Sequence, residues 1–376
     1  MSRGAPLRVM GWGTYDASRH PRAGILLDGL RASGADVVEV NQPDSTSTAE
    51  RVDAVSSMGA ALGTVLKLPT VWFRLARRAR KEMRRKPVDA LLVGYLGHMD
   101  VIAARVLFPR TPIVLDHLIF AADTARDRSS GSGLMQRLLG VLDRTAIASA
   151  TVVVLDTDEH LAMLPNRARR KGLVVPVGAP DAWFESGASR AAGDPDAPLS
   201  VIFYGLFTPL QGAETIGAAA RLLHERGANV AITMVGTGQD HAATVAAAGE
   251  APVTWIDWVQ PADLPALVAS HDVCLGIVGT TPKGSRVVPN KVYQGLAARC
   301  AVITSDTPPQ RRMLQDAVRY VPTGDAEALA DAIAGLATDR TELAALALRG
   351  AELAQARFSP AALGGELMAR IAQVTA

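Results

Sequence analysis

The stretch Pro282-Lys-Gly-Ser-Arg-Val-Val-Pro-Asn-Lys-Val-Tyr-Gln-Gly-Leu-Ala-Ala-Arg-Cys-Ala-Val-Ile-Thr-Ser-Asp306 organises the chain. Three cations, Lys283, Arg286 and Lys291, fall among small and apolar residues. Pro289 ends the extended run before it and Asn290 caps well, so the pair predicts a helix start, with the helix reaching about Ala298. Val292 and Leu296 share its buried face, while Lys291 and Gln294 stand one turn apart on another. Ala301 to Thr304 reads as an apolar strand, and Ser305-Asp-Thr-Pro-Pro opens the next helix. Cations beside a fresh helix N-terminus, at the mouth of a parallel sheet, make a site for a phosphate-bearing ligand.

Outward from this stretch, 376 residues exceed one ordinary core and predict two domains. Apolar residues make up 48% and charged residues 20%, a well-packed globular balance, and Ala-rich helices with short Val/Ile strands point to α/β. The net charge of +2 gives no global argument for nucleic acid, which is not expected as a partner. Cys274 and Cys300 lie in apolar runs and read as core residues of a reducing compartment. Leu7 to Met10 leads straight into Gly11-Trp-Gly without a signal-peptide pattern, and no apolar run approaches a membrane span. A cytoplasmic location is expected.

Taken in order, Leu7 to Met10 is a strand ending in Gly11-Trp12-Gly13, where the backbone either approaches a ligand on the acceptor side or simply turns. A helix from Pro21 to Ser33 and a strand from Val37 to Val40 follow. Asp44 to Thr48 reads as a mobile loop. Val65 to Lys86 is basic and amphipathic, with Glu82 its only acid. Pro69 predicts that its regular part begins near Thr70. The segment Arg74–Lys86 fits either an anionic membrane surface, making the protein peripheral, or a docked helix with a solvated charged face. Val88 to Tyr95 is a buried strand, and His98 falls on the loop at its end, as a ligand contact or as a cap. Ile113 to Asp116 is a strand, Ser129 to Gly133 a flexible loop, Leu134 to Ser149 a helix, and Thr151 to Leu155 a strand. Thr157-Asp-Glu starts a helix, and Leu173 to Val177 is the last strand of this half.

Glu185 to Pro198 has the composition of a linker, placed at 185–195 between domains at 1–184 and 196–357. Strand-helix alternation then restarts, with a second Gly-x-Gly, Gly236-Thr-Gly238, after the strand Val230 to Val235. Alternation throughout predicts two doubly wound parallel-sheet domains facing a cleft.

The chain resembles the retaining, nucleotide-sugar-dependent glycosyltransferases of family 4, with their two Rossmann-like domains in the GT-B arrangement. The resemblance rests on Phe203-Tyr-Gly-Leu-Phe-Thr-Pro-Leu-Gln-Gly212, Met234-Val-Gly-Thr-Gly-Gln, Leu264 to Ile277, Pro289 to Ala298 and Ala301-Val-Ile-Thr-Ser-Asp306. A weaker trace runs through His98, Asp123-Thr, Asp127-Arg128, Leu155-Asp-Thr and Val175-Pro-Val-Gly178. It implies sugar transfer from a nucleotide-sugar donor to an acceptor hydroxyl of unknown identity, with neither metal nor cofactor. It also implies a final helix, 360–376, crossing back onto the N-terminal domain. Donor contacts would come from Gly205, Gly236, Gly238, Trp258, Val259, Asn290, Lys291 and Gln294.

Two departures stand out. Where the family carries paired glutamates this chain has Arg286 and Gln294, and its Gly205–Gly212 loop lacks the family's Arg and Lys. Gln294 can still hydrogen-bond a ribose. Lys283 and Arg286 are expected to replace the missing cations, stabilising the departing diphosphate, with His98 completing the catalytic set. The departures also allow a nucleotide-sugar-binding protein without catalysis. A nucleotide-sugar epimerase is a third possibility, against which the Pro289–Asp306 motif speaks.

Overall fold

The computed structural model describes residues 6–17, 20–43, 58–123, 133–190 and 196–375. The expected loop at 44–48, the segment 129–132 and the residues Thr124, Asp127 and Arg128 lie outside them. The chain forms two units, Met1–Pro176 with Pro360–Ala376, and Val177–Ser359.

In the first unit β1 (Arg8–Gly13), α1 (Arg22–Ala32), β2 (Asp36–Asn41), α2 (Met58–Arg85), β3 (Ala90–Val93), α3 (His98–Leu107), β4 (Ile113–Asp116), α4 (Gly133–Ser149), β5 (Val152–Leu155), α5 (Asp158–Met163) and β6 (Gly172–Val174) alternate. The strands pair in parallel in the order β2-β1-β3-β4-β5-β6. Period-two alternation splits their side chains between two cores. Leu91, Val93, Leu115, Val153 and Leu155 join Leu75, Ala76 and Ala79 of α2 on one face. Val9, Leu92, Val114, Val152 and Val154 join Ile25, Leu26 and Leu30 of α1 on the other.

The second unit runs α6 (Asp181–Ala188), β7 (Leu199–Tyr204), α7 (Ala213–Glu225), β8 (Val230–Val235), α8 (His241–Ala248), β9 (Val253–Ile256), α9 (Leu264–Ala269), β10 (Val273–Leu275), α10 (Asn290–Ala297), β11 (Ala301–Ser305), α11 (Pro308–Leu314), β12 (Arg319–Val321), α12 (Ala326–Thr338) and α13 (Arg340–Arg357). Its strand order is β12-β11-β10-β7-β8-β9, all parallel. Strand order therefore reverses between β1 and β3 in the first sheet and between β7 and β10 in the second. Open α/β sheets bind ligands at such switch points, beyond the strands' C-terminal ends. The closing helix, α14 (Pro360–Thr375), packs along α1 in the first unit. At their contact a Cβ on Gly364 would run into the Gly29 carbonyl.

Local details differ from the sequence reading. The helix α2 runs unbroken through Pro69, which is exposed, while Leu75, Ala76 and Ala79 beyond it are buried and anchor the helix. The segment 185–195 opens within α6, where the Trp183 side chain is buried. No described helix is long and apolar enough to cross a membrane.

One buried ion pair ties α1 to the end of β4. Arg22 Nε lies 3.2 Å from Asp116 Oδ1, Nη2 donates to the Val175 carbonyl at 2.7 Å, and Nη1 donates to the Pro176 carbonyl. Burial raises the Asp116 carboxyl above its usual range, and Arg22 opposes that rise.

Candidate functional site

Three loops meet at the switch point of the second sheet, following β7, β8 and β10. The Phe207 amide donates to the Thr237 carbonyl at 3.0 Å, the Asp240 amide to the Phe207 carbonyl at 3.1 Å, and the Val278 amide to the Gln211 carbonyl at 3.1 Å. This is backbone packed on backbone. Gly236, at φ +122°, leaves no room for a Cβ against the Gly205 carbonyl, and Gly238 leaves none against the backbone of Phe207. The glycines Gly205, Gly236 and Gly238 thus bring the loops together.

Into this junction α10 sends Lys291. Its Nζ donates to Gln211 Oε1 at 2.6 Å and sits 3.8 Å from the centre of the Phe203 ring. A Cβ at Gly205 would lie only 3.1 Å from that nitrogen. The side chain is 6% exposed, and among the described residues no carboxylate pairs with it. Burial pushes its pKa down to about 7. One turn later Gln294 Oε1 accepts a hydrogen bond from the Tyr204 hydroxyl at 2.9 Å, and the Tyr204 ring stacks on Trp183. Asn290 is exposed and opens α10 without capping it; Pro289 holds the cap position, and no side-chain cap bond forms. Proline at that position ends the extended run as expected, but it leaves the first amides of α10 without a side-chain acceptor.

Lys283 and Arg286 bound a single 3-10 turn, Gly284–Arg286, with both side chains half-buried. Gly284 faces Leu210, which sets this turn against the loop after β7. Trp258 and Val259 follow the edge strand β9, and the Trp258 indole is 70% exposed. The structure therefore joins Gly205, Gly236, Gly238, Lys291 and Gln294, and sets Trp258 and Val259 two strands away from β7. Sequence reasoning missed Gln211, although it lies in the cation-free Gly205–Gly212 loop.

In the first unit Gly11 lies inside β1 rather than in a loop, paired with Glu39 and Leu92. Tyr15 folds over it and donates to Glu39 at 2.8 Å. Gly13 ends β1 against Asp100, which accepts from the Thr14 amide at 2.8 Å. His98 is the first residue of α3, not a loop residue, and it is buried. Its Nε2 lies 3.0 Å from Asp143 Oδ1, within ion-pair distance. His117, which follows β4, lies beside His98, the ring centres being 5.0 Å apart.

Residues 198–339 match the family model "Glycosyl transferases group 1". No curated protein matches the chain in sequence. Among solved structures, sucrose-phosphate synthase from Thermosynechococcus elongatus is similar at a TM-score of 0.67 and 14% identity, over 98% of this chain and 99% of that one. HepE from Anabaena, in complex with UDP, is similar at 0.65 and 12%, over 98% and 100%. The UDP-forming α,α-trehalose-phosphate synthase from Burkholderia vietnamiensis is similar at 0.64 and 14%, over 98% and 97%. The chain has the GT-B fold of two Rossmann-like parallel-sheet domains.

Proposed function

We propose that the protein is a glycosyltransferase that takes a nucleotide-sugar donor in its second unit and passes the sugar to an acceptor hydroxyl, with retention. The observation that carries this reading is the Lys291 ammonium at the β7/β10 switch point, between Gly205 and Gln211. Ligand diphosphates dock where loop amides converge, and a fixed cation there stabilises charge as the diphosphate leaves. Lys291 thereby supplies from α10 the charge that Leu206 and Gln211 do not supply from the first loop. Lys283 and Arg286 belong to the turn against that loop and add a second basic contact to the same diphosphate. Gln294, turned by Tyr204, meets the ribose. Trp258 offers an exposed ring for the donor's outer part.

UDP and UDP-glucose are the first probes, because HepE of similar fold was solved with them. Titration calorimetry with UDP, and product analysis after incubation with nucleotide sugars, test the reading. Saturable binding with turnover supports it. Absence of binding to any nucleotide tried would overturn it. A second reading, nucleotide-sugar binding without transfer, is favoured by Arg286 and Gln294 standing where the family has glutamates. Binding without hydrolysis or transfer of any donor would select it.

The exposed basic face of α2, with Phe73 61% exposed beside Arg74, Arg77 and Arg78, supports a peripheral contact with anionic lipid. Vesicle flotation tests it. Binding to anionic but not neutral vesicles, fading with salt, is expected, and equal binding to both would reject it.

A further inference from the structure

A buried cluster of chemistry in the first unit lies outside the proposed donor site. His98 heads α3, His117 follows β4, and Asp143 comes from α4, so three separate elements converge on one point. One ligand atom from each lies within 4.8 Å of the other two, and all three residues are buried. Among the described residues neither ring nitrogen of His117 has a hydrogen-bond partner, although the residue is only 1% exposed. A buried polar group without a partner is costly, so such an arrangement calls for one. His98 Nε2 already stands 3.0 Å from Asp143 Oδ1, so two of the three ligand atoms are adjacent.

Asp143 is already held in place. Its Oδ1 accepts from the Ala121 amide at 2.9 Å and its Oδ2 from the Ala122 amide at 3.1 Å. Hydrogen bonds that fix a carboxylate in this way are what outer partners do for a metal-ligating group. Two imidazoles and one carboxylate suit a borderline ion such as zinc, whereas calcium and magnesium take oxygen donors alone. In a tetrahedral site with bonds near 2.1 Å, ligand atoms stand roughly 3.4 Å apart. The present spacing, within 4.8 Å, has to tighten to that value when an ion binds. Three protein ligands also leave a fourth position for water or an anion.

We propose that His98, His117 and Asp143 form a binding site for one divalent transition-metal ion of the zinc class. The site belongs to the first unit and does not depend on how the second unit is read.

The test uses the full-length protein, stripped with chelator and titrated with Zn2+ and with Co2+ as a spectroscopic probe. The expected result is one equivalent bound per chain, visible Co2+ absorption saturating at one to one, and a rise in the melting temperature. His117→Ala and Asp143→Asn should each weaken binding by at least a hundredfold. His224→Ala, on the exposed end of α7, should leave it unchanged. Should the variants fail to fold, 15N-imidazole NMR of the wild-type chain decides. Two histidines shifting on addition of one equivalent of Zn2+ support the site, and no histidine shift overturns it. Failure to bind one equivalent, or Co2+ binding unaltered in folded His117→Ala, also overturns it.

Discussion

The two sheets share one architecture and fill their strand ends in opposite ways. Beyond the first sheet, side chains occupy the space: Arg22 meets Asp116, His160 meets Asp156, and His98 and His117 gather at Asp143. Beyond the second sheet the backbone itself fills the space, glycine against carbonyl, and one cation, Lys291, enters it. Polar side chains packed in fixed pairs make rigid, costly cores. Loops packed through glycine bring the backbones that follow β7, β8 and β10 into direct contact. On the proposed function, this difference is what suits the second unit to a nucleotide.

The hardest blow to this contrast falls on the first sheet. Arg22→Ala leaves Asp116 buried without its cationic partner, and should cost about 3–5 kcal/mol in urea unfolding. The double variant Arg22→Met with Asp116→Leu should recover most of it. If Arg22→Ala unfolds at the wild-type midpoint, the side-chain account of the first sheet fails.

Next comes Gly236→Ala, which sets a Cβ against the Gly205 carbonyl at a positive φ. A loss of about 2–3 kcal/mol is expected. Gly34→Ala also has a positive φ but open space around it, and should cost only about 1 kcal/mol. Equal losses at both would mean that loop contact adds nothing.

Lys291 sharpens the comparison through pH. Its pKa is about 7 when folded, against 10.5 for the ordinary side chain. Below 7 both folded and unfolded chains hold the proton, so the burial cost stands in full. Between 7 and 10.5 only the unfolded chain holds it, so stability should rise with pH by up to about 1.4 kcal/mol per unit. Lys291→Met should remove that slope and stabilise the unliganded protein at pH 6.5. The same variant should weaken UDP binding by about 1.5–3 kcal/mol, the worth of a charge-assisted contact. Wild-type affinity should fall from pH 7 to 8.5, with proton uptake visible by calorimetry in two buffers. Affinity that is flat with pH and unchanged in Lys291→Met would remove Lys291 from the site.

The smallest effect is expected at Gln294. Gln294→Ala removes the acceptor for Tyr204 and should weaken nucleotide binding by about 0.5–1.5 kcal/mol. Gln294→Glu keeps an acceptor there and should bind almost as well as wild type.

The sequence by itself determined the two alternating β/α units and the stretch from Pro289 to Asp306 as the centre of the second. Hydrophobic periodicity and turn residues are local signals, and they survive without tertiary context. It also marked Lys291, Gln294 and the glycine pairs. Only the tertiary structure decided what these residues meet. Lys291 and Gln211 are 80 positions apart and meet because β7 and β10 are neighbours in a sheet whose order reverses between them. His98, His117 and Asp143 come from three elements that only the sheet aligns. Gly11 moved from an expected loop into β1, and Pro69 proved compatible with a continuous helix, because packing against the rest of the unit outweighs local preference. Strand order is set by which hydrophobic faces cover one another across the whole unit, and no short window of sequence carries that information.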